Sequence, residues 1–255
     1  MLFRSAFREV RERDLVGREG LFIAEGEVVL RHLVASRRHR PVAVLLAEKR
    51  VEGLTHMLAE LPDDVPVYAA DQTVLDSIVG FHIHRGILAL GRRAPEPEAA
   101  DLLAGLPQHA LVLVAHGIAN HDNIGGVFRN AAAFGVDAVL LDATSCDPLY
   151  RKALRVSVGG VLRVPFARFG AEVDPLKLLT EAGFEPMALS PSGKTALKDL
   201  SPCGRRTAVL LGAEGPGLPK AMLDRCRTVA IPMASGFDSL NVAVTSGIVL
   251  HHLRG

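Results

Sequence analysis

The segment HGIANHDNIGGVFRN (116–130) contains the first side chains whose types and spacing suit chemistry. It carries Asn123 and Arg129 six residues apart, on either side of a glycine pair. A glycine-rich turn at a helix start offers free backbone N–H groups to an anion, and an arginine can hold a phosphate through two hydrogen bonds. The residues therefore suit the binding of a phosphate-bearing substrate. They also fit a plainer interpretation, in which Asn123 caps the helix and Arg129 is a surface arginine.

Two later segments place polar side chains in a similar setting. LLGAEGPGLPK (210–220) holds Glu214 among three glycines, where a carboxylate either pairs with a cation or fixes the loop. TVAIPMASGFDSLNVAVTSGIVLHHL (228–253) leads into a helix predicted to start near Ser239 and Asn241. Ser239 is a suitable N-cap, whereas Asn241 is less well explained by capping. Each segment alone is consistent with an ordinary turn or cap.

The elements that must position these segments follow from the hydrophobic pattern. Apolar runs predict strands at 41–48, 65–70, 86–91, 110–116, 135–141, 159–166, 185–190, 207–212 and 228–233. Amphipathic stretches predict helices at 25–36, 52–60, 71–79, 126–134, 149–157, 174–182, 217–225 and 239–253. Near-continuous Val, Leu and Ala runs indicate an α/β protein, with a mostly parallel sheet covered by helices on both faces. In such a sheet ligands bind at the carboxyl ends of the strands, which the three polar segments follow.

The chain is predicted to divide into two domains. RRAPEPEAADLLAGLP (92–107) has three prolines and several acidic residues between two apolar runs, which is typical of a linker. The sequence therefore predicts a small α/β domain over 1–93, a linker over 94–107 and a larger α/β domain over 108–255.

The charge balance limits where a polyanion could bind. The 29 Lys and Arg residues nearly match the 28 Asp and Glu residues, so any nucleic-acid site must be a local patch. Residues 1–50 have a local excess of positive charge, which fits either a polyanion-contacting patch or a solvated helix face. Its basic residues include Arg4, Arg8 and Arg11 on one predicted helix face and the cluster Arg37, Arg38, His39 and Arg40.

Several classes of protein are excluded by what the sequence contains. Cys146, Cys203 and Cys226 are far apart and include no C-x-x-C pair, so we predict no metal site and no disulfide framework. No apolar stretch approaches about 18 residues, so we predict no membrane segment. The Arg-rich stretch MLFRSAFREVRERD (1–14) contains acidic residues, which transit peptides largely lack, so we expect a cytoplasmic protein.

The order and spacing of the three segments resemble one known family. N-x-G-x-x-x-R, then L-G-A-E-G-x-G-L, then I-P-M-x-x-x-x-x-S-L-N-V-A-V is similar to motifs 1, 2 and 3 of the SpoU-type (TrmH-like) branch of the SPOUT RNA methyltransferases. DPLYRKALRVSVGGVLRVPF (147–166) is similar to the family's middle segment. FIAEGEVVLRHLV (22–34) and FHIHRGILAL (81–90) resemble the substrate-binding domain that many members carry.

The resemblance implies a fold and a cofactor. The larger domain would be an α/β-knot, in which the chain near motifs 2 and 3 forms a deep trefoil knot, and the smaller one a ribosomal-protein-like RNA-binding fold. S-adenosylmethionine would bind in the knot, and members typically form homodimers through the knotted domain. The final helix is a candidate for that interface, and it fits a core helix equally well. The residues carried over to the cofactor site are Leu211, Gly212, Ile231, Met233 and Leu240.

The implied reaction is methyl transfer to a ribose 2′-hydroxyl of RNA, most consistent with 23S-type ribosomal RNA. Arg129 matches the arginine to which the family assigns activation of the hydroxyl. A guanidinium is always protonated, so stabilising the developing oxyanion is physically easier for it than acting as a base. The other motif positions, expected to orient Arg129, the ribose–phosphate and the loops, are Asn123, Glu214, Ser239 and Asn241. Arg37, Arg38 and Arg40 are candidates for RNA contact.

Some alternatives stay open at this point. A tRNA substrate is one, although the chain ends at HHLRG without the basic extension that some relatives use on tRNA. A non-catalytic RNA-binding or ribosome-assembly factor that keeps the fold is another. A nucleotide-dependent oxidoreductase is not supported, because no G-x-G-x-x-G follows the first strand of the larger domain. His116 and His121 replace the acidic residue or proline frequent in the family, and they are either RNA-facing or simply solvated.

Overall fold

The computed structural model describes residues 16, 19–79, 86–201, 206–234 and 238–254. It divides into two compact units, one formed by Met1–Pro95 with Pro148–Arg163 and the other by Glu96–Asp147 with Val164–Gly255. The face predicted from Arg4, Arg8 and Arg11, the first five residues of the 81–90 motif, and Cys203 lie outside the described residues.

Strands and helices alternate along most of the described chain. The strands are β1 Leu21–Glu25, β2 Arg40–Ala47, β3 Val67–Ala70, β4 Ile87–Arg92, β5 Ala110–His116, β6 Ala138–Leu141, β7 Phe166–Arg168, β8 Glu185–Leu189, β9 Thr195–Ala196, β10 Arg206–Gly212 and β11 Arg227–Ala230. The helices are α1 Glu27–Val34, α2 Glu48–Val51, α3 Thr55–Leu58, α4 Gln72–Val79, α5 Ala99–Ala104, α6 His121–Ala133, α7 Arg151–Val156, α8 Gly160–Arg163, α9 Pro175–Glu181, α10 Lys220–Leu223 and α11 Val242–Arg254. Short 3₁₀ turns cover Glu52–Leu54 and Leu197–Asp199.

The first unit is built on a four-stranded mixed sheet in the order β1-β4-β2-β3. Strand β4 is antiparallel to β1 and β2, and β2 is parallel to β3. Strand β1 was not predicted, and Phe22 on it is fully buried. The Phe22 ring fits because Gly91 on β4 has no side chain; a Cβ there would lie 2.4 Å from the ring.

The segment 148–163 packs within the first unit, although it lies in sequence between two strands of the second. Its anchor is Glu25 on β1, which is only 2% exposed. The Glu25 carboxylate faces Arg151 at 3.3 Å and Arg155 at 3.6 Å, both on α7. A buried carboxylate needs such partners, because leaving it unpaired would be strongly destabilising.

The second unit holds a seven-stranded sheet in the order β7-β6-β5-β10-β8-β11-β9. Every strand pair in it is parallel, which confirms the predicted α/β class with a parallel sheet. Val112 and Leu210 pack with α5 and α9 on one face. Their neighbours Leu113 and Val209 are just as buried. The continuous apolar runs of the sequence thus mark strands covered on both faces.

Two predictions from local sequence are wrong. GGVLRVPF (159–166) was predicted as a strand, but it forms α8 and reaches β7 only at Phe166. The turn before α8 has positive φ at Val158 (53°) and Gly159 (80°), so this stretch is not extended. The predicted linker 94–107 contains α5, whose Leu103 is fully buried in the core of the second unit.

Most other predicted elements are confirmed to within a few residues. The 52–60 helix is split into a 3₁₀ turn and α3, and the two-residue strand β9 was not predicted. The described helices include none long and apolar enough to cross a membrane.

Candidate functional site

A cavity of about 410 Å³ lies in the second unit at the carboxyl ends of β8, β10 and β11. This volume is within the range of small-molecule sites. The five residues predicted to hold the cofactor all line it, as do Glu214, Ser239 and Asn241. Among the described residues of the lining, Glu214 alone carries a charge. The tertiary structure therefore brings the second and third polar segments together around one space.

Backbone, more than side chains, forms the wall at the end of β10. A Cβ at Gly212 would lie 2.4 Å from the carbonyl carbon of Gly217, because the loop after β10 folds back on the strand. The Gly217 N–H donates to the Ala213 carbonyl at 3.0 Å, which closes that loop. Gly215 and Gly217 have φ of 87° and 67°, which favours glycine. Only glycine fits at position 212 with this loop in place.

Asn241 joins all three polar segments through its side chain. Its Nδ2 donates to Asn123 Oδ1 at 2.8 Å and to Glu214 Oε1 at 2.9 Å. Its Oδ1 accepts from the Ala243 N–H at 2.9 Å. Asn123 is 4% exposed, so its amide is removed from water and depends on this partner.

The caps of the two helices differ from those considered from sequence. Helix α11 begins at Val242 with Asn241 in front of it, so Asn241 is the capping residue that Ser239 was expected to be. Ser239 lies before the helix in the cavity lining. Helix α6 is capped by Asn120, which accepts from the Asp122 N–H at 2.8 Å. Asn123 is therefore the third residue of α6, within its first turn, and its side chain is free for the contact with Asn241.

Helices α6 and α11 approach each other closely and so hold this contact in place. A Cβ on Gly126 would lie 2.5 Å from the Ala243 Cβ. One turn further, the Asn130 amide donates to the Ala243 carbonyl at 2.6 Å and to Ser246 Oγ at 2.9 Å. Ser246 is fully buried.

Arg129 is exposed on α6 and lies outside the cavity lining. Six residues of helix separate it from Asn123, about 9 Å along the axis. Its guanidinium has no hydrogen bond or ion pair with any residue of the described ranges. The structure thus brings Asn123 to the cavity residues and leaves Arg129 further along α6, outside the lining and exposed to another molecule.

His116, at the end of β5, lies next to Asp142, a buried carboxylate that was not among the predicted site residues. Its Nδ1 is 3.6 Å from Asp142 Oδ2. Burial alone would raise the pKa of Asp142, but hydrogen bonds from Ser145, Thr144 and the Gly117 N–H outweigh it, so the pKa is lowered. Both hydroxyl contacts are 2.5 Å long. The sequence feature that could have indicated Asp142 is the polar D-A-T-S turn (142–145), which follows a predicted strand.

The three arginines predicted to contact RNA have different surroundings in the first unit. Arg38 is part-buried and donates to the Val161 carbonyl at 3.4 Å, and burial lowers its pKa. Arg40 pairs with Asp64. Arg37 is exposed. Their role in RNA contact stays a prediction, in which Arg37 has the freest side chain of the three.

Strand β8 contributes to the cavity in a way that was not predicted from the sequence. Leu189, Ser190 and Pro191, at the end of this strand, belong to the lining. The sequence feature that could have indicated these residues is a predicted strand followed by a Pro-Ser-Gly turn. Only the strand order shows that β8 lies between β10 and β11.

Metal-ligand groups are not found in the part of the chain that the structure describes, since no three His, Cys, Asp or Glu side chains there are placed to hold an ion. Cys146 and Cys226 are free thiols. Burial raises the pKa of Cys146 to about 11, so this thiol is protonated at neutral pH.

Comparison with known proteins assigns the fold and the family. The sequence profile of the SpoU rRNA Methylase family matches residues 110–251. A tRNA/rRNA methyltransferase of Mycobacterium bovis, named as uncharacterised, is 41% identical over 252 residues, covering 94% of this chain and 83% of that protein.

Solved structures of low sequence identity share the fold over nearly the whole chain. An AdoMet-bound rRNA methyltransferase from Sinorhizobium meliloti has a TM-score of 0.81 at 20% identity, covering 99% of this chain and 94% of that one. An RNA 2′-O ribose methyltransferase has a TM-score of 0.75 at 24% identity, covering 98% and 94%. Together with the sequence match over most of the second unit, these findings show that the chain belongs to the SpoU rRNA methylase family, whose cofactor is S-adenosylmethionine.

Proposed function

We propose that this protein transfers a methyl group from S-adenosylmethionine to a ribose 2′-hydroxyl of RNA, and that the RNA is 23S-type ribosomal RNA. The observation that carries the proposal is the contact of Asn241 with both Asn123 and Glu214 at the edge of the cavity. It joins the three polar segments whose order resembles the family's motifs. The solved 2′-O ribose methyltransferase of the same fold supports the choice of hydroxyl.

The cavity suits the cofactor in size, polarity and charge. Leu211, Ile231, Met233 and Leu240 offer apolar surface, and the close-packed backbone at Gly212 and Gly217 forms the wall at the end of β10. The described lining has one acidic residue and no basic one, which is compatible with a sulfonium cation. When bound, S-adenosylmethionine supplies an electrophilic methyl group. The predicted knot stays a prediction of the family resemblance.

In this proposal Arg129 acts on the attacking oxygen of the ribose. The 2′-hydroxyl is a poor nucleophile, so it must be positioned and its developing negative charge must be stabilised. The exposed guanidinium of Arg129 is a permanent cation and can stabilise this negative charge. The proton then passes to another base, for which a phosphate of the substrate is suitable. Asn123 and Glu214 orient the elements around it and do not themselves exchange the proton.

We also propose that the protein is a homodimer through the second unit. Leu240, just before α11, and Val244 and Ile248, four residues apart on that helix, form an exposed apolar stripe. Their exposed fractions are 36%, 52% and 38%. A second copy covering this stripe would remove apolar surface from water. The cytoplasm is the compartment that fits an RNA substrate.

Methyl transfer to isolated RNA tests the proposed function. Purified protein and tritiated S-adenosylmethionine are incubated with total RNA and with immature ribosomal particles from a strain lacking the gene, and the labelled nucleoside is identified and mapped. A 2′-O-methylated nucleoside at one position of 23S-type RNA is expected. Label in tRNA would overturn the ribosomal assignment. Cofactor binding without transfer to any RNA would favour the non-catalytic RNA-binding alternative.

A further inference from the structure

A second cavity of about 460 Å³ lies in the second unit, next to the cofactor cavity. The two share Ser190 at the end of β8 in their linings. Its other walls come from the turn after β8, from α10 and the residues just after it, and from the start of β11. Neither the family motifs nor the reaction proposed above uses this space.

The charges in the two cavities are opposite. Three cations, Lys194, Lys220 and Arg227, line the second cavity, with one carboxylate, Asp224, among the described residues. Lys220 Nζ is 2.6 Å from Asp224 Oδ2, so these two charges neutralise each other. Lys194 and Arg227 have no ion-pair partner within the described ranges. The cavity therefore presents two uncompensated positive charges.

The turn after β8 is held rigidly and supplies hydroxyl groups to the same space. The Lys194 N–H donates to Thr228 Oγ1 at 3.1 Å, and Ser190 Oγ lies 3.1 Å from Ser192 Oγ. A Cβ at Gly193 would lie 2.4 Å from the Val229 carbonyl carbon, so the turn packs directly on the backbone of β11. Cations and hydroxyls held together in one cavity are the donor set that phosphate oxygens accept from.

We propose that this cavity binds a phosphate group of the RNA chain beside the methylation site. This inference rests on the proposed function, because RNA is the source of the phosphate. The ability to bind a phosphate is inferred from Lys194, Arg227 and the hydroxyl groups. The cofactor does not fit the role, because it carries a sulfonium cation and no phosphate. Since both cavities share Ser190, a phosphate bound here lies alongside the cofactor and fixes the RNA strand next to it.

The test compares Lys194→Gln/Arg227→Gln with the control Lys198→Gln/Lys177→Gln, which removes two positive charges from exposed lysines of the same unit outside the cavity. The RNA is the one labelled by the wild-type protein, or immature ribosomal RNA if none is labelled. Affinity is measured by titration between about 50 and 200 mM salt. S-adenosylmethionine binding and circular dichroism report whether each variant is folded.

Loss of the contact to this one phosphate should weaken binding about tenfold or more at about 50 mM salt, because two charge-assisted contacts are removed. It should lower the slope of log affinity against log salt by about 0.7, the contribution of one phosphate of a single strand. The control should change both quantities far less. If the cavity variant keeps the RNA affinity and the salt slope of the wild type, while the wild type binds and methylates RNA, the phosphate-site inference is overturned. The proposed function would then still stand. Absence of RNA binding by the wild type would count against the proposed function.

A parallel titration with inorganic pyrophosphate and with AMP distinguishes the source of the phosphate. If the RNA chain supplies it, these compounds should compete with RNA only weakly. The wild type could instead bind AMP tightly, and the cavity variant could lose AMP binding but keep its RNA affinity. That result would overturn the assignment to RNA and would indicate that the cavity binds a free nucleotide.

Discussion

At the scale of single residues, Arg129 and Asn241 have different roles in the candidate site. Asn241 uses its amide entirely on protein groups, because it caps α11 and holds Asn123 and Glu214. Arg129 has an exposed side chain on the outer surface of α6. The first residue therefore organises the site, and the second is the one that can reach a substrate.

Replacing Arg129 should separate catalysis from cofactor binding. In Arg129→Ala we expect methyl transfer to fall by about 100-fold or more, since removing one oxyanion-stabilising donor costs that much in other enzymes. Affinity for S-adenosylmethionine should stay near the wild-type value, because Arg129 does not line the cavity. Single-turnover transfer and calorimetric cofactor titration measure the two quantities. A parallel collapse of cofactor affinity would instead assign Arg129 to the cofactor site.

Asp142 should make the stability of the protein depend on acidic pH. Its pKa is lowered in the folded state, so it stabilises the fold above the unfolded value of about 3.9 and loses that contribution as the pH falls through the folded value. Asp142→Asn should cost about 1–3 kcal/mol at neutral pH, because Ser145 and Gly117 lose a charged acceptor. Urea unfolding from about pH 7 to about pH 3 measures both. The wild type should lose more stability than the variant below about pH 4, and equal losses would contradict this account.

At the scale of elements, the contact of α6 with α11 decides whether the site forms. The small residues Gly126 and Ala243 let the two backbones come close. One turn after Gly126, Asn130 donates a hydrogen bond from α6 to the backbone of α11. This is why Asn123 on one helix can reach Asn241 at the start of the other. A wider helix pair would separate the first motif from the third.

Adding one methyl group at this crossing should destabilise the fold. Gly126→Ala places a Cβ 2.5 Å from the Ala243 Cβ, and overpacking of this kind costs about 1–3 kcal/mol. In an Ala243→Gly background the clash disappears, so the same substitution should then be neutral or stabilising. Denaturant unfolding of the single and double variants measures the coupling.

Gly105→Ala provides the matched control for this cycle. A Cβ at that helix end would meet only ordinary contacts of 3.6 and 3.7 Å, so its cost should be small. Independent, additive effects of Gly126→Ala and Ala243→Gly would show that the two helices can move apart without penalty.

At the scale of the whole molecule, the chain has two compact units with separate cores. The first contains the ion pairs of Glu25 with α7, and the second contains the cavity at which we propose that the cofactor binds. The exposed apolar stripe formed by Leu240, Val244 and Ile248 is the surface of the second unit at which we propose that another copy of the chain binds.

A charge on that stripe should prevent dimer formation. Val244→Glu and Ile248→Glu should each shift the protein from dimer to monomer, because an unpaired carboxylate in an apolar interface is strongly unfavourable. Light scattering coupled to size-exclusion chromatography measures the mass. Val67→Glu, at an apolar residue of similar exposure (41%) in the first unit, is the control. A wild-type monomer, or dimers in all three variants, would contradict the proposed interface.

The sequence by itself determined the class of the fold, and its resemblance to the family supplied the residues predicted to hold the cofactor. Continuous apolar runs predicted the parallel sheet, because strands buried on both faces have no polar side. Loops after the strands predicted the candidate residues, because parallel strands end at one edge. Ser239, in the loop after β11, lines the same cavity as Leu211 and Ile231, which the family resemblance supplied.

The tertiary structure alone decided where the remaining parts go. Local sequence could not show that 148–163 leaves its neighbours in the chain to pack on β1, since the pairing of Glu25 with Arg151 joins residues 126 positions apart. Nor could it show that Asn241 is a cap as well as a bridge, or that Lys194 and Arg227 share a cavity. Hydrophobic periodicity reports which face of an element is buried, whereas contacts between distant elements depend on packing that no local pattern encodes.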